Sequence, residues 1–157
     1  MAIDVQPYDP GWARPFDEER ALLERALQPW LGGGVHHVDL GEAGAAIDVL
    51  SGHSYVHAPH RPRALWFHKP ASPDLADRTH HLHLTEPCSD LWRERLAFRD
   101  ARRADDGLRD EYAQLKQRLA AVHGEDIGAY TAAKRDFVAR VLAGEGIELG
   151  PRRSSLD

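Results

Sequence analysis

Arg78-Thr79-His80-His81-Leu82-His83-Leu84 reads as an extended strand, and that reading decides the fold. Successive side chains in a strand point to opposite faces. Strict alternation puts Arg78, His80, Leu82 and Leu84 on one face and Thr79, His81 and His83 on the other. His81 and His83 are then neighbours on a common face, close enough to share a metal, a phosphate or a hydrogen-bond network. The run is too polar for an ordinary core strand and too regular for a loop.

Upstream, Ser54-Tyr55-Val56-His57 and Ala64-Leu65-Trp66-Phe67-His68-Lys69 read as two more strands, separated by the turn Pro59-His60-Arg61-Pro62-Arg63. A loop with Pro70, Pro73 and Asp74 leads into the histidine strand, and Val35-His36-His37-Val38 is a further short strand candidate. Helices frame these strands. Asp9 is placed to cap the first, with Pro10 at its first position, and Phe16, Leu22, Leu23, Leu27 and Trp30 follow at helical spacing up to Gly32-Gly33-Gly34. Leu40, Ala43, Ile47 and Leu50 keep a helical register through Asp48, so Asp48 is read as a helix residue and not as a metal ligand on a strand. Beyond Ser89 the chain is helical in three segments: to about Arg103, Gly107 to Val122, and Asp126 to Leu142. The fold class is therefore α+β, a small, mostly antiparallel sheet packed by helices with a helical C-terminal half. Residues 1–144 are expected to form a single domain and residues 145–157 a flexible tail.

The composition narrows the function. The formal charge of −5 argues against broad nucleic-acid binding, which needs a basic surface. No apolar run approaches a membrane span, and the N-terminus does not read as a secretory signal. A single cysteine, Cys88, excludes an intramolecular disulfide framework and points to the cytoplasm. Ten histidines are many for this length, and if several cluster the charge changes markedly between pH 5 and 8.

Several stretches resemble the GrpB family: Val5-Gln6-Pro7-Tyr8-Asp9-Pro10-Gly11-Trp12, Phe16 with its following acidic turn, Trp66-Phe67-His68-Lys69-Pro70, and the histidine strand itself. Leu96-Ala97-Phe98-Arg99-Asp100, Tyr112-Ala113-Gln114-Leu115-Lys116 and Tyr130-Thr131-Ala132-Ala133-Lys134 continue it, in order, over residues 5–142. The resemblance implies a nucleotidyltransferase-like fold. It also implies metal-dependent transfer of a nucleotidyl or phosphoryl group to a small acceptor, with Mg²⁺ as cofactor and a nucleotide or phosphorylated small molecule as partner. One departure stands against catalysis. Family members follow a strand like Val35–Val38 with Gly-Ser-Thr, Val-Pro-Gly-Leu, Lys-Pro and an Asp; here Val38 runs straight into Asp39-Leu40-Gly41-Glu42. Either the polypeptide lacks this segment or the sequence in hand omits it. A true loss would remove a strand from the sheet and leave an edge for homodimerisation.

Two readings follow. In the enzyme, His81 and His83 position or exchange protons while Arg78, Lys69 and Arg99 contact phosphate, and the carboxylates for the metal are missing. In the alternative, the scaffold is a catalytically inactive domain that binds a ligand or partner. Lys116, Tyr130 and Lys134 join the binding set because they lie on the family-like elements, Tyr130 and Lys134 being four apart on one helix face. Each has a plainer alternative. The histidines satisfy one another inside a packed core, Arg99 makes a surface ion pair, and the lysines edge an amphipathic helix.

Overall fold

The structure, a computed structural model, describes residues 5, 9–29, 44–58, 64–70 and 78–150. Residues 9–89 belong to one compact unit and residues 90–150 to another.

The sheet unit starts at Asp9, whose carboxylate accepts the Gly11 N–H at 2.7 Å. Pro10 needs no partner for the N–H it lacks. These residues shape a single 3-10 turn, Pro10–Trp12, and the helix proper, α1, runs from Ala13 to Leu27. Helix α2, Gly44–Gly52, keeps the register read from the sequence: Ala46 and Leu50 are buried one turn apart, and Asp48 is exposed. Three strands follow, β1 (Val56–His57), β2 (Ala64–Lys69) and β3 (His80–Thr85), in the order β1-β2-β3. Both pairings are antiparallel. Trp66 stands opposite His83, Phe67 opposite Leu82 and His68 opposite His81.

That register gives the sheet two chemically different faces. Leu65, Phe67, Leu82 and Leu84 share one face and pack with Leu23, Leu27, Ala46, Ile47, Leu50 and Tyr55 into the core. Phe67 and Leu50 are fully buried. Each such side chain contributes roughly 2–3 kcal/mol relative to exposure. Trp66, His68, His81 and His83 occupy the other face. The alternation expected of the histidine strand holds from His80 onward. It does not reach Arg78, which lies before the strand begins and whose guanidinium sits on the Trp66 side.

The helical unit contains α3 (Asp90–Ala104), α4 (Asp106–His123), α5 (Ile127–Ala133) and α6 (Arg135–Gly144). Asp105 caps α4 by accepting the Leu108 N–H at 3.0 Å, and Asp126 caps α5 through the Ala129 N–H at 2.9 Å. Leu91, Phe137, Val141 and Leu142 are buried here. The edge-to-face rings of Phe98 and Tyr112, with centroids 5.3 Å apart, join α3 to α4. The single helix expected over Asp126–Leu142 is two, broken at Lys134; no glycine or proline marks the break, which is why the periodicity hides it. Gly150 donates its N–H to the buried carboxylate of Glu94 at 2.9 Å, and its carbonyl accepts from Arg135 Nη2 at 2.7 Å. The strand expected over Val35–Val38, the glycine run before it, the Pro59–Arg63 turn and the Arg152–Ser155 tail lie outside the described residues.

Candidate functional site

Antiparallel pairing of β2 with β3 gathers four rings on one sheet face. The Trp66 indole lies parallel to the His81 imidazole, 3° between planes and 5.8 Å between centroids. His83 stacks on the same indole at 6.4 Å, and His68 meets it tilted at 5.7 Å. The Arg78 guanidinium is 5.7 Å from the Trp66 ring centroid, a cation–π distance. His68 is buried, Trp66, His83 and Arg78 are half-buried, and His81 is exposed. The His68 ring is fixed by its Nδ1–H, which donates to the Pro70 carbonyl at 3.2 Å.

The electrostatics of this face are one-sided. Burial, then the charges of Arg78, His68 and His80, hold His81 below the ordinary imidazole range, so it is neutral near pH 7. The charges that act on it from the described residues are those of basic side chains. Arg78 Nε is buried with no hydrogen-bond partner among the described residues. A guanidinium of this kind favours a planar, bidentate anion, and a neutral imidazole supplies one N–H donor. The flat Trp66–His81 stack is a platform for another aromatic ring.

Lys69 belongs to a different constellation. Its Nζ donates to both oxygens of Glu19, at 3.1 and 3.0 Å, and the Tyr55 hydroxyl donates to Glu19 Oε1 at 2.9 Å. Burial pushes Glu19 upward, but hydrogen bonds from Lys69 and Tyr55 and the charges of Lys69 and His80 outweigh it and hold the carboxyl below its usual range. The same burial, with the Glu19 hydrogen bond, pushes the Tyr55 hydroxyl up. Lys69 thus ties β2 to α1 on the core side of the sheet.

The remaining candidates lie in the helical unit. Arg99 is exposed and forms a two-pronged pair with its neighbour Asp100, at 2.7 and 2.9 Å. Lys116 Nζ is 5.3 Å from the Tyr112 ring centroid, and Lys134 Nζ is 3.9 Å from that of Tyr130. Of the eight residues singled out from the sequence, the fold brings Arg78, His81 and His83 together around one ring. Trp66 and His68, which share that face, are not among those eight. Their W-x-H spacing, matched to the H-x-H of β3, was the available signal, but it acquires meaning only once the strands are paired. Among the described residues, no three or more His, Cys, Asp or Glu side chains are arranged to hold a metal ion. Among the described residues no helix is long and apolar enough to cross a membrane.

A small antiparallel sheet with helices against its apolar face, followed by a helical unit, defines an α+β protein. The family profile described as GrpB protein matches residues 39–144, and the chain belongs to that family. A UPF0157 protein of Deinococcus radiodurans is 33% identical over 156 residues, covering 89% of this chain and 81% of its own length. A UPF0157 protein of Pseudomonas aeruginosa is 31% identical over 164 residues, covering 89% of this chain and 66% of its own. Both alignments are longer than the part of this chain they take up, so each relative carries residues without a counterpart here. The UPF0157 protein YqkA of Bacillus subtilis is 27% identical, and the chain spans 45% of its length. The crystal structure of conserved protein GrpB from Enterococcus faecalis superposes with a TM-score of 0.75 at 20% identity, over 88% of this chain and 94% of that one, and shares the fold.

Proposed function

We propose that this GrpB-family chain is a binding domain for a nucleotide or a similar phosphorylated aromatic compound, held at the Trp66 face of the sheet. The observation that carries this reading is the Arg78 guanidinium over Trp66, its Nε buried with no hydrogen-bond partner among the described residues, beside the His81 imidazole. The ligand's ring stacks on the Trp66–His81 platform, and its phosphate oxygens accept from Arg78 and from His81 or His83. A phosphate also relieves the mutual repulsion of these groups, which raises the proton affinity of His81 on binding.

Nucleotidyl transfer needs carboxylates that hold Mg²⁺ against the phosphates. The aspartate segment that the resemblance leads one to expect after Val38 is not in the sequence in hand, and the described residues hold no group of three or more His, Cys, Asp or Glu side chains placed for a metal. Binding without transfer is therefore the reading that the residues support best. The test is calorimetric titration of the full chain with ADP, in the presence and absence of Mg²⁺, alongside Trp66→Leu, Arg78→Gln and His81→Gln. Wild-type binding that weakens about tenfold in each variant supports the proposal. Unchanged affinity in all three sinks it, and Mg²⁺-dependent turnover of a nucleoside triphosphate restores the enzyme reading.

A further inference from the structure

Tyr112 of α4 carries two cations on its ring. The Arg102 guanidinium carbon lies 5.1 Å from the ring centroid and Lys116 Nζ lies 5.3 Å from it. Arg102 is held on a second ring as well, 4.5 Å from the Phe98 centroid, and its Nε donates to the Phe98 carbonyl at 3.3 Å. The platform beneath is rigid, because Phe98, Tyr112 and Phe137 contact one another from three helices, with centroids 5.2 to 6.3 Å apart.

Neither cation has a countercharge of its own among the described residues. In the same unit Arg99 and Arg103 meet Asp100, Arg109 meets Asp106, and Arg140 meets Glu111. Arg102 and Lys116 have no acidic partner among the described residues. Both Nη groups of Arg102 are left without a protein acceptor there. Glu111, the residue before Tyr112, is committed to Arg140. Burial and then the charge of Arg102 hold the Lys116 ammonium below the ordinary lysine range, as expected of two cations in each other's field. The Tyr112 hydroxyl is pushed up by burial, although Arg102 and Arg95 pull it down, and it remains a protonated donor.

We infer that Arg102 and Lys116, ordered on the Tyr112 ring, form an anion site in the helical unit that takes the phosphate groups of a small molecule. Aromatic packing has already immobilised the guanidinium, so less side-chain entropy is lost on binding. Its planar fork supplies parallel N–H donors, and Lys116 supplies a second positive charge against a dianion. The site stands on residues separate from those of the Trp66 face.

Pyrophosphate is the probe, and the full chain carrying Arg78→Gln is the host, so that binding at the sheet face is weakened. NMR follows the Lys116 ε-methylene and the Arg102 Nε–H during titration. Saturable shifts at both groups are expected, with affinity falling about tenfold in Lys116→Gln and in Arg102→Gln. Arg109→Gln, which removes an arginine of the same unit that is paired with its own carboxylate, Asp106, is expected to bind as the host does. Arg102 also packs on Phe98, so if Arg102→Gln fails to fold, Lys116→Gln alone decides. The inference is overturned if neither group shifts saturably, if the charge-removing variants bind like the host, or if Arg109→Gln weakens binding as much as they do.

Discussion

Trp66 and His81 are diagonal neighbours across two antiparallel strands: Trp66 pairs with His83 and His81 pairs with His68, yet the indole stacks on the imidazole two residues away. Diagonal pairs are within reach of large rings on a shared face. The same His81 ring lies in the field of Arg78, which disfavours its cation.

His81 is expected to titrate below 6.5, because burial and the charges of Arg78, His68 and His80 disfavour its cation. The sign for stability follows. Above 6.5 the imidazole is neutral in folded and unfolded chains and contributes nothing. Below it the unfolded chain takes the proton first, so stability declines until the folded group is also protonated. A two-dimensional NMR pH titration of the histidine rings measures the shift, and Arg78→Gln should move the His81 midpoint upward. A midpoint unmoved by that substitution would show that Arg78 does not act on the ring.

Glu19 and Lys69 are 13% and 25% exposed, sheltered enough for their pair to matter. Replacing Glu19 by Gln leaves the Lys69 ammonium without its countercharge, and should cost about 1–3 kcal/mol in urea unfolding at pH 7. The carboxyl titrates below its usual 4.5 in the fold, so its contribution is complete above that pH and is lost as the pH falls through the folded value. The difference between wild type and Glu19→Gln should therefore shrink on acidification; a difference that grows would contradict the pairing.

Phe137 is 7% exposed and Phe16 is 65% exposed, so the same substitution should separate them. Phe137→Ala empties a place beside Phe98 and Tyr112 and is expected to cost about 3–5 kcal/mol. Phe16→Ala should change stability by roughly 0.5 kcal/mol or less. Denaturant midpoints of the two variants, measured side by side, check the contrast.

Asp105 caps α4 through one hydrogen bond to the Leu108 N–H. Asp105→Ala should lose about 1 kcal/mol and Asp105→Asn nearly nothing, since asparagine offers the same acceptor. Thermal melts followed by circular dichroism read the pair. Equal losses in both would mean that charge, and not the cap, is what Asp105 supplies.

The elements were legible in the sequence because their signals are local. The period-two run at residues 78–84, the apolar strand at 64–69 and the helical spacing of Ile47 with Leu50 each depend on neighbours a few residues apart. So did the placement of His81 with His83. The break at Lys134 was not legible, since Ala132, Ala133 and Lys134 all suit a helix. Family-like motifs located Lys69, Arg99 and Lys116, but not what each would touch. Only the tertiary structure decided that Lys69 turns to Glu19, that Arg99 is taken by Asp100, and that Trp66 joins Arg78 and His81. Those outcomes depend on strand register and helix packing, which bring together residues as distant in sequence as Glu19 and Lys69. Alternation along one strand fixes which side chains share a face, but the partner strand fixes what they meet there.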